Sequence, residues 1–166
     1  AYTNYSGKGG VGIGSFFQRL GFSLRYSELN LMISNQLSDD SKIIMERNIT
    51  SRVKKAAPFL YTDNDPYLAL IEGDLYWIID MYTVSDRYPY AQPADTRRIN
   101  ERSGLPMSFN YIRNSVKAVV NAYDGTMNFY VFDETDPLIQ TYAKIFPTLF
   151  SDKSEMSSSL LDHIRY

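Results

Sequence analysis

The sequence predicts an α+β domain in which two antiparallel β-hairpins form a sheet, flanked by N-terminal helices and a C-terminal helix. Three observations predict it. Glu72-Gly73 and Asp124-Gly125 each supply a two-residue turn signal between β-rich runs, and a type I′ turn needs positive φ at both central positions. Apolar side chains recur with helical period across residues 14–37. Asp136-Pro137 supplies an N-cap and a proline for the first helical position. The 166 residues suit a single domain, 1–166, with a real core.

Taken in order, the chain opens on a Gly-rich lead. GKGGVGIG at 7–14 is close to a nucleotide-binding loop, GKGGVGK[ST], but the lysine for the terminal phosphates would fall at Ile13 and the Mg²⁺-holding hydroxyl at Gly14. With no buried strand ahead of it, the loop is expected to be a flexible lead into a helix. Residues 13–57 are expected to be helical. Phe16, Phe17, Leu20 and Leu24 share one face, extended by Leu31, which predicts a core helix; Ser27-Glu28-Leu29-Asn30 breaks it in two. Ser38 is the expected N-cap of the next helix, with Asp39 and Asp40 in its first turn and Lys54 and Lys55 in its last. Asn48 or Thr50 offers a second cap midway, and Ala57-Pro58 ends it.

The first hairpin is expected at 66–83, with both faces apolar and therefore covered. The second is expected at 110–133. Closing it on Asp124-Gly125 pairs Tyr123 with Thr126, Ala122 with Met127, Val120 with Phe129 and Ala118 with Val131. Val116, Ala118, Val120, Ala122, Met127, Phe129 and Val131 then share the apolar face. A helical reading of Ile112, Val116, Val119, Val120 and Tyr123 competes; the turn and the matching partner strand favour strand. Between the hairpins, residues 84–108 form a long loop, and loops of that length carry function or mobility. C-terminal helices are expected within 136–164, the first to about Phe146 and a short one near 157–164.

Composition excludes several chemistries. Net charge is −2, so no global field draws nucleic acid, and no nucleic-acid partner is expected. The basic trio Arg97, Arg98 and Arg102 is expected to be a solvated loop. There are no cysteines, hence no disulfide, thiolate metal site or cysteine nucleophile. His163 is the single histidine, so a His metal site has no second imidazole. No apolar run approaches the ~20 residues of a membrane span. The abrupt start at AYTNYSGKGG and stop at LDHIRY are those expected of a piece of a longer protein.

Two candidate sites emerge. Asp86, Arg87, Tyr88 and Tyr90 lie in a Pro-stiffened loop, SDRYPY, whose residue types suit recognition of a glycan or peptide. The alternative is that Asp86 and Arg87 lock the loop to the sheet while the tyrosines roof the core. The open ends of the hairpins bring the second. If both turns point the same way, Asp63, Asp65, Asp80, Asp86, Asp133, Glu134 and Asp136 converge, and like charges need an offset. Arg87 and Arg113 could supply it as ion pairs; so could a Ca²⁺ ion held by Asp63, Asn64, Asp65 and Asp133. No catalytic residue is singled out.

A longer pattern runs through these elements: DPY-x5-G-x3-W-x2-D-x-YT-x-SDRYPY at Asp65 to Tyr90, NYIRNSVKA-x-V-x-AYDGT at Asn110 to Thr126, and Phe146-Pro147. It resembles an uncharacterised family of large bacterial multi-pass membrane proteins, over essentially the whole chain, departing at Glu72, where relatives tend to show Asp. The resemblance implies a soluble extracytoplasmic domain on the cell membrane, with the membrane-embedded remainder of the same protein as its partner. The expected role is binding, sensing or assembly without catalysis. The alternative is a carboxylate- or metal-dependent hydrolase of cell-envelope material, which would need two acids about 5–10 Å apart in a cleft.

Overall fold

The computed structural model describes residues 5–99 and 103–164, apart from the side chain of Arg98. The chain divides into two compact units, Ala1–Arg47 and Asn48–Tyr166. The first four residues of the lead, the Arg98 side chain and Arg102 lie outside the described residues; Arg97 pairs with Asp95 at 2.8 Å in solvent.

The first unit holds β1 (Val11–Gly12), α1 (Phe16–Tyr26), α2 (Asn30–Ile33) and β2 (Lys42–Ile43). Ser15 and Gln18 form a capping box that starts α1. Ser27, left-handed at φ 53°, ends it, and the Glu28 N–H returns to the Ser23 carbonyl. The break thus falls where the sequence places it.

Two expectations for this unit are corrected. The chain is not helical throughout 13–57. Residues 34–48 leave the helix, and Ser38 caps a turn rather than a helix: the Ser41 N–H reaches the Ser38 carbonyl, and the Ser41 hydroxyl accepts from the Ser38 N–H. The Ser41 carbonyl accepts from Ile13, and β2 pairs with β1, so this backbone is satisfied by the lead. Gly14 permits the approach, because a Cβ there would lie 2.2 Å from the Asp39 carbonyl oxygen. The second correction concerns the α1 face. Phe16, Phe17, Leu20 and Leu24 are exposed, Phe17 at 81%, and the buried residue of α1 is Ser23. Arg19 explains the orientation. Its guanidinium donates to the carbonyls of Ile13, Leu37 and Ser38, irregular backbone that has no ladder partner.

The second unit is a mixed sheet with helices on both faces. It comprises α3 (Ile49–Ala56), β3 (Tyr61–Thr62), β4 (Tyr67–Ile71), β5 (Asp74–Ser85), β6 (Tyr111–Asn121), β7 (Met127–Val131), α4 (Pro137–Ile145), β8 (Phe150–Asp152) and α5 (Ser158–Leu161). Asn48 is the cap that starts α3, accepting from the Ser51 N–H at 2.9 Å, and Lys54 and Lys55 occupy the last turn. Sheet order is β3-β5-β6-β7-β8, with β4 sharing β3's flank of β5. All ladders in this sheet are antiparallel except β7 with β8, which α4 connects as a crossover.

Residues 112–121 are strand, and the first turn is as expected, with Glu72 at φ 53° and Gly73 at φ 94°. The second hairpin is corrected in register. Val120 faces Met127, Ala118 faces Phe129 and Val116 faces Val131, two residues off the pairing that Asp124-Gly125 alone predicts. The loop holds four residues, 122–125, between Asn121 and Thr126, and only Gly125 within it has positive φ. Side-chain acceptors favour this wider loop. Asn121 Oδ1 takes the N–H groups of Tyr123 and Asp124, and Asp124 Oδ1 takes the N–H and hydroxyl of Thr126. A slip of two keeps every side chain on its expected face.

One core packs α3 and α4 on Ile79, Met81, Val116, Ala118, Val120 and Phe129. The other packs Met156 and Leu160 on Ala69, Ile71, Ile78 and Val119. Strands β5 and β6 are therefore buried on both sides, and Lys117 is among the buried residues.

Candidate functional site

The site is organised by a bulge. Met81 faces Val116 and Thr83 faces Arg113, so Asn114 and Ser115 of β6 together oppose Tyr82. An extra residue re-aims the side chains around it. Ser115 in the bulge, and Arg113 and Tyr111 beyond it, reach the acids ahead of α4. Asn114 instead donates to Asp80 Oδ2 at 3.0 Å, where Lys117 also binds. One inserted residue thus serves two polar clusters.

The first cluster surrounds Asp136, the fully buried N-cap of α4. Its Oδ1 accepts from the Tyr111 hydroxyl at 2.5 Å and from the Leu138 N–H at 2.9 Å. Its Oδ2 accepts from the hydroxyls of Thr83 and Ser115. Four donors and a helix N-terminus suit a buried carboxylate. Burial first, then the bond to Asp136, pushes the Tyr111 phenol well above the usual tyrosine range. Beside it, Asp133 Oδ2 pairs with Arg113 at 2.9 Å while Oδ1 takes the Thr135 hydroxyl and N–H. The Thr135 hydroxyl is the largest reason the Asp133 carboxyl is held below its usual range.

The turns do point the same way, since Ala122 bonds to Leu75 beside both of them. The carboxylates nonetheless resolve into separate arrangements. Asp133 takes Arg113, the pairing anticipated for that arginine. Among the described residues, the guanidinium of Arg87 pairs with the acid of its neighbour Asp86, at 3.7 Å, with both side chains exposed. Asp80 takes Lys117. Asp63 accepts from the Asp65 N–H and, at 3.4 Å, from the Tyr82 hydroxyl, whose pKa burial and then Asp63 push up to about 12. Asn64 lies against Gly104. Among the described residues, no group of three or more His, Cys, Asp or Glu could hold a metal ion. Asp63, Asn64, Asp65 and Asp133 are therefore not brought together as one cation cage.

The 86–90 loop rests on this cluster. Asn110 clamps it, accepting from the Tyr88 N–H at 2.9 Å and donating to the carbonyls of Tyr88 and Ala91. The Tyr88 ring stacks on Tyr111 with centroids 4.4 Å apart. Asp86 and Arg87 do not lock onto the sheet, and of the two tyrosines only Tyr88 is seated. Tyr90 is fully exposed and left-handed, at φ 58°.

Lys117, Thr83 and Ser115 are the buried polar partners of Asp80 and Asp136, and the sequence singles out none of them. The available signal was a lysine at the centre of an apolar strand, AVVN on one side and NSV on the other. Its partner is visible only once β5 and β6 are in register.

Sheet, twin cores and caps together define an α+β domain whose principal buried acid organises a loop. The chain belongs to the uncharacterised protein family UPF0182, which matches residues 1–166. It is 49% identical over 174 residues to a UPF0182 protein of Trichodesmium erythraeum, covering 100% of this chain and 19% of the relative. It is 46% identical to a UPF0182 protein of Thermobifida fusca and 45% identical to one of Clostridium kluyveri, covering 100% of this chain and 17% of each. The chain thus spans less than a fifth of the length of these bacterial relatives. No solved structure matches it.

Proposed function

We propose that this chain is a binding or assembly domain, displayed on the extracytoplasmic side of a bacterial integral membrane protein, and that the 86–90 loop is its recognition element. The observation that carries the reading is Tyr90. A bulky residue at positive φ stores strain, and such strain collects at functional sites. Here the strained residue projects into solvent from a backbone that Asn110 and the Tyr88–Tyr111 stack hold still. An exposed tyrosine and an exposed arginine on a rigid base form a low-entropy contact surface for an envelope glycan or peptide. The membrane-embedded partner rests on the multi-pass resemblance and on the four-fifths of each relative that lies outside this chain. No helix among the described residues is long and apolar enough to cross a membrane, so this reading places the anchor elsewhere in the protein.

Two measurements test it. Titration with muropeptides and oligosaccharides, followed by NMR, should perturb residues 86–90, and Tyr90→Ala or Arg87→Ala should abolish binding without changing Tm. Tyr90→Cys in the full-length protein, freed of other cysteines, should react with a membrane-impermeant maleimide on intact cells. Labelling only after lysis would overturn the sidedness.

A further inference from the structure

A second concave site lies at the opposite end of the sheet, independent of the recognition loop. The turn of the first hairpin, Val119 near the end of β6, Asn128 and Tyr130 of β7, and the segment entering α5 line a cavity of about 310 Å³. Its size is at the lower end for small-molecule sites. Ile71, Val119 and Leu160 make an apolar floor that continues the second core. Tyr76 and Tyr130 line it, as do Glu72, Asp74 and Glu155. Tyr130 is near enough to both Glu155 and Tyr76 that, after burial, their charge raises its phenol pKa. Among the described residues, no arginine or lysine lines the cavity and none of the three acids has an ion-pair partner. Two of the acids are held in place: Glu72 accepts from the Ser159 hydroxyl at 3.2 Å, and Glu155 accepts from the Asp152 N–H at 3.2 Å.

We propose that this cavity binds an organic cation, an alkylammonium or guanidinium group such as a lysine or arginine side chain carries. Three features select that class. Aromatic faces attract a cation electrostatically, more so when it is desolvated. An apolar floor accommodates the methylenes next to the charge. The carboxylates are exposed and stand apart, since they form no group that could hold a metal ion. A compact divalent cation needs several oxygens within 2.3–2.6 Å or less, whereas an ammonium on an alkyl stem is served by separated acceptors and a ring face. Anionic and neutral ligands of the same length gain nothing from the three acids.

The test is an NMR titration of the 166-residue chain with n-butylamine, n-butylguanidine, sodium butyrate and n-butanol at constant ionic strength. The two cations should give saturable shifts at Ile71, Tyr76, Val119, Asn128 and Tyr130. Butyrate and butanol should give none at tenfold higher concentration. Asp74→Asn with Glu155→Gln should weaken the cations at least tenfold, with the unliganded spectrum and Tm kept as evidence of folding. Tyr130→Phe, which keeps the ring face, should bind within about twofold of the parent. Equal shifts with butyrate or butanol, no saturable shifts with either cation, or undiminished binding in the double variant would each overturn the proposal. The first and third comparisons also separate a cation site from general apolar binding, and neither depends on the 86–90 loop.

Discussion

Lys117 Nζ lies 2.8 Å from Asp80 Oδ1 across the two central strands, with the lysine side chain 1% exposed and the aspartate 13%. The ammonium is also 5.2 Å from the centre of the Phe132 ring, and Asn114 holds the other oxygen of Asp80. Breaking a buried pair leaves an uncompensated charge, so Lys117→Met should cost about 3–5 kcal/mol in urea denaturation. Replacing both partners, Lys117→Met with Asp80→Leu, should recover more than half of that loss. A single variant within about 1 kcal/mol of the parent would show that the pair is solvated.

Asp136 should be among the most costly polar residues to truncate. Asp136→Ala removes the α4 cap and strands the hydroxyls of Thr83, Ser115 and Tyr111. Caps are worth about 0.5–2 kcal/mol and stranded buried groups about 1–3 kcal/mol each, so a loss of about 4 kcal/mol or more is expected. Tyr111→Phe leaves three of the four donors and should cost about 1–2 kcal/mol. Equal costs for the two would mean that Tyr111 alone carries the cluster.

Alkaline pH should destabilise the domain through its tyrosines. Burial and then Asp63 push the Tyr82 phenol up from 10.0 to about 12, and Tyr111 is raised as well. A raised folded pKa stabilises fully below the unfolded value, and that contribution is lost as pH rises from 10 through 12. Tyr82→Phe should flatten the decline in Tm over that window. Asp133, with its lowered pKa, acts at the other extreme: its contribution is present above the usual carboxylate value and is lost as pH falls through the folded pKa. Thr135→Val should shrink that acid-side loss.

The corrected register can be checked by cross-linking, which the absence of native cysteines makes clean. Val120→Cys with Met127→Cys should oxidise to a disulfide, because directly opposed strand residues lie within bonding reach. Val120→Cys with Phe129→Cys should not. Gly125→Val should lower stability by about 1–2 kcal/mol, since its φ of 71° strains a β-branched residue. A Cβ there would also meet the Arg52 guanidinium, so Arg52→Ala should relieve some of that cost and leave the backbone contribution.

Calcium gives a further check on the open ends of the hairpins. Asp133 is committed to Arg113 and Thr135, and Asp63 to the Asp65 N–H and Tyr82. Millimolar CaCl₂ added to EDTA-stripped protein should produce no binding heat and no rise in Tm. A saturable heat that Asp63→Asn removes would restore the cation cage.

What the sequence determined alone is local. Glu72-Gly73, Ser27, Asn48 and Asp136-Pro137 mark turns and caps where they stand, because each satisfies its own neighbouring backbone. The alternation along β6 and β7 likewise assigned faces correctly, since a two-residue slip leaves parity unchanged. The rest needed the tertiary structure. The register of the second hairpin depends on Asn121 and Asp124 side chains competing with the turn their own sequence advertises. The exposed face of α1 follows from Arg19 reaching carbonyls as far as Ser38. The side-chain partners of Asp80 and Asp136 are distant along the chain and lie around a bulge that no local pattern announces: 37 positions separate Asp80 from Lys117, and 53 separate Thr83 from Asp136. A charge in a strand declares only that it must be neutralised; which residue does so is decided by the geometry that buries it.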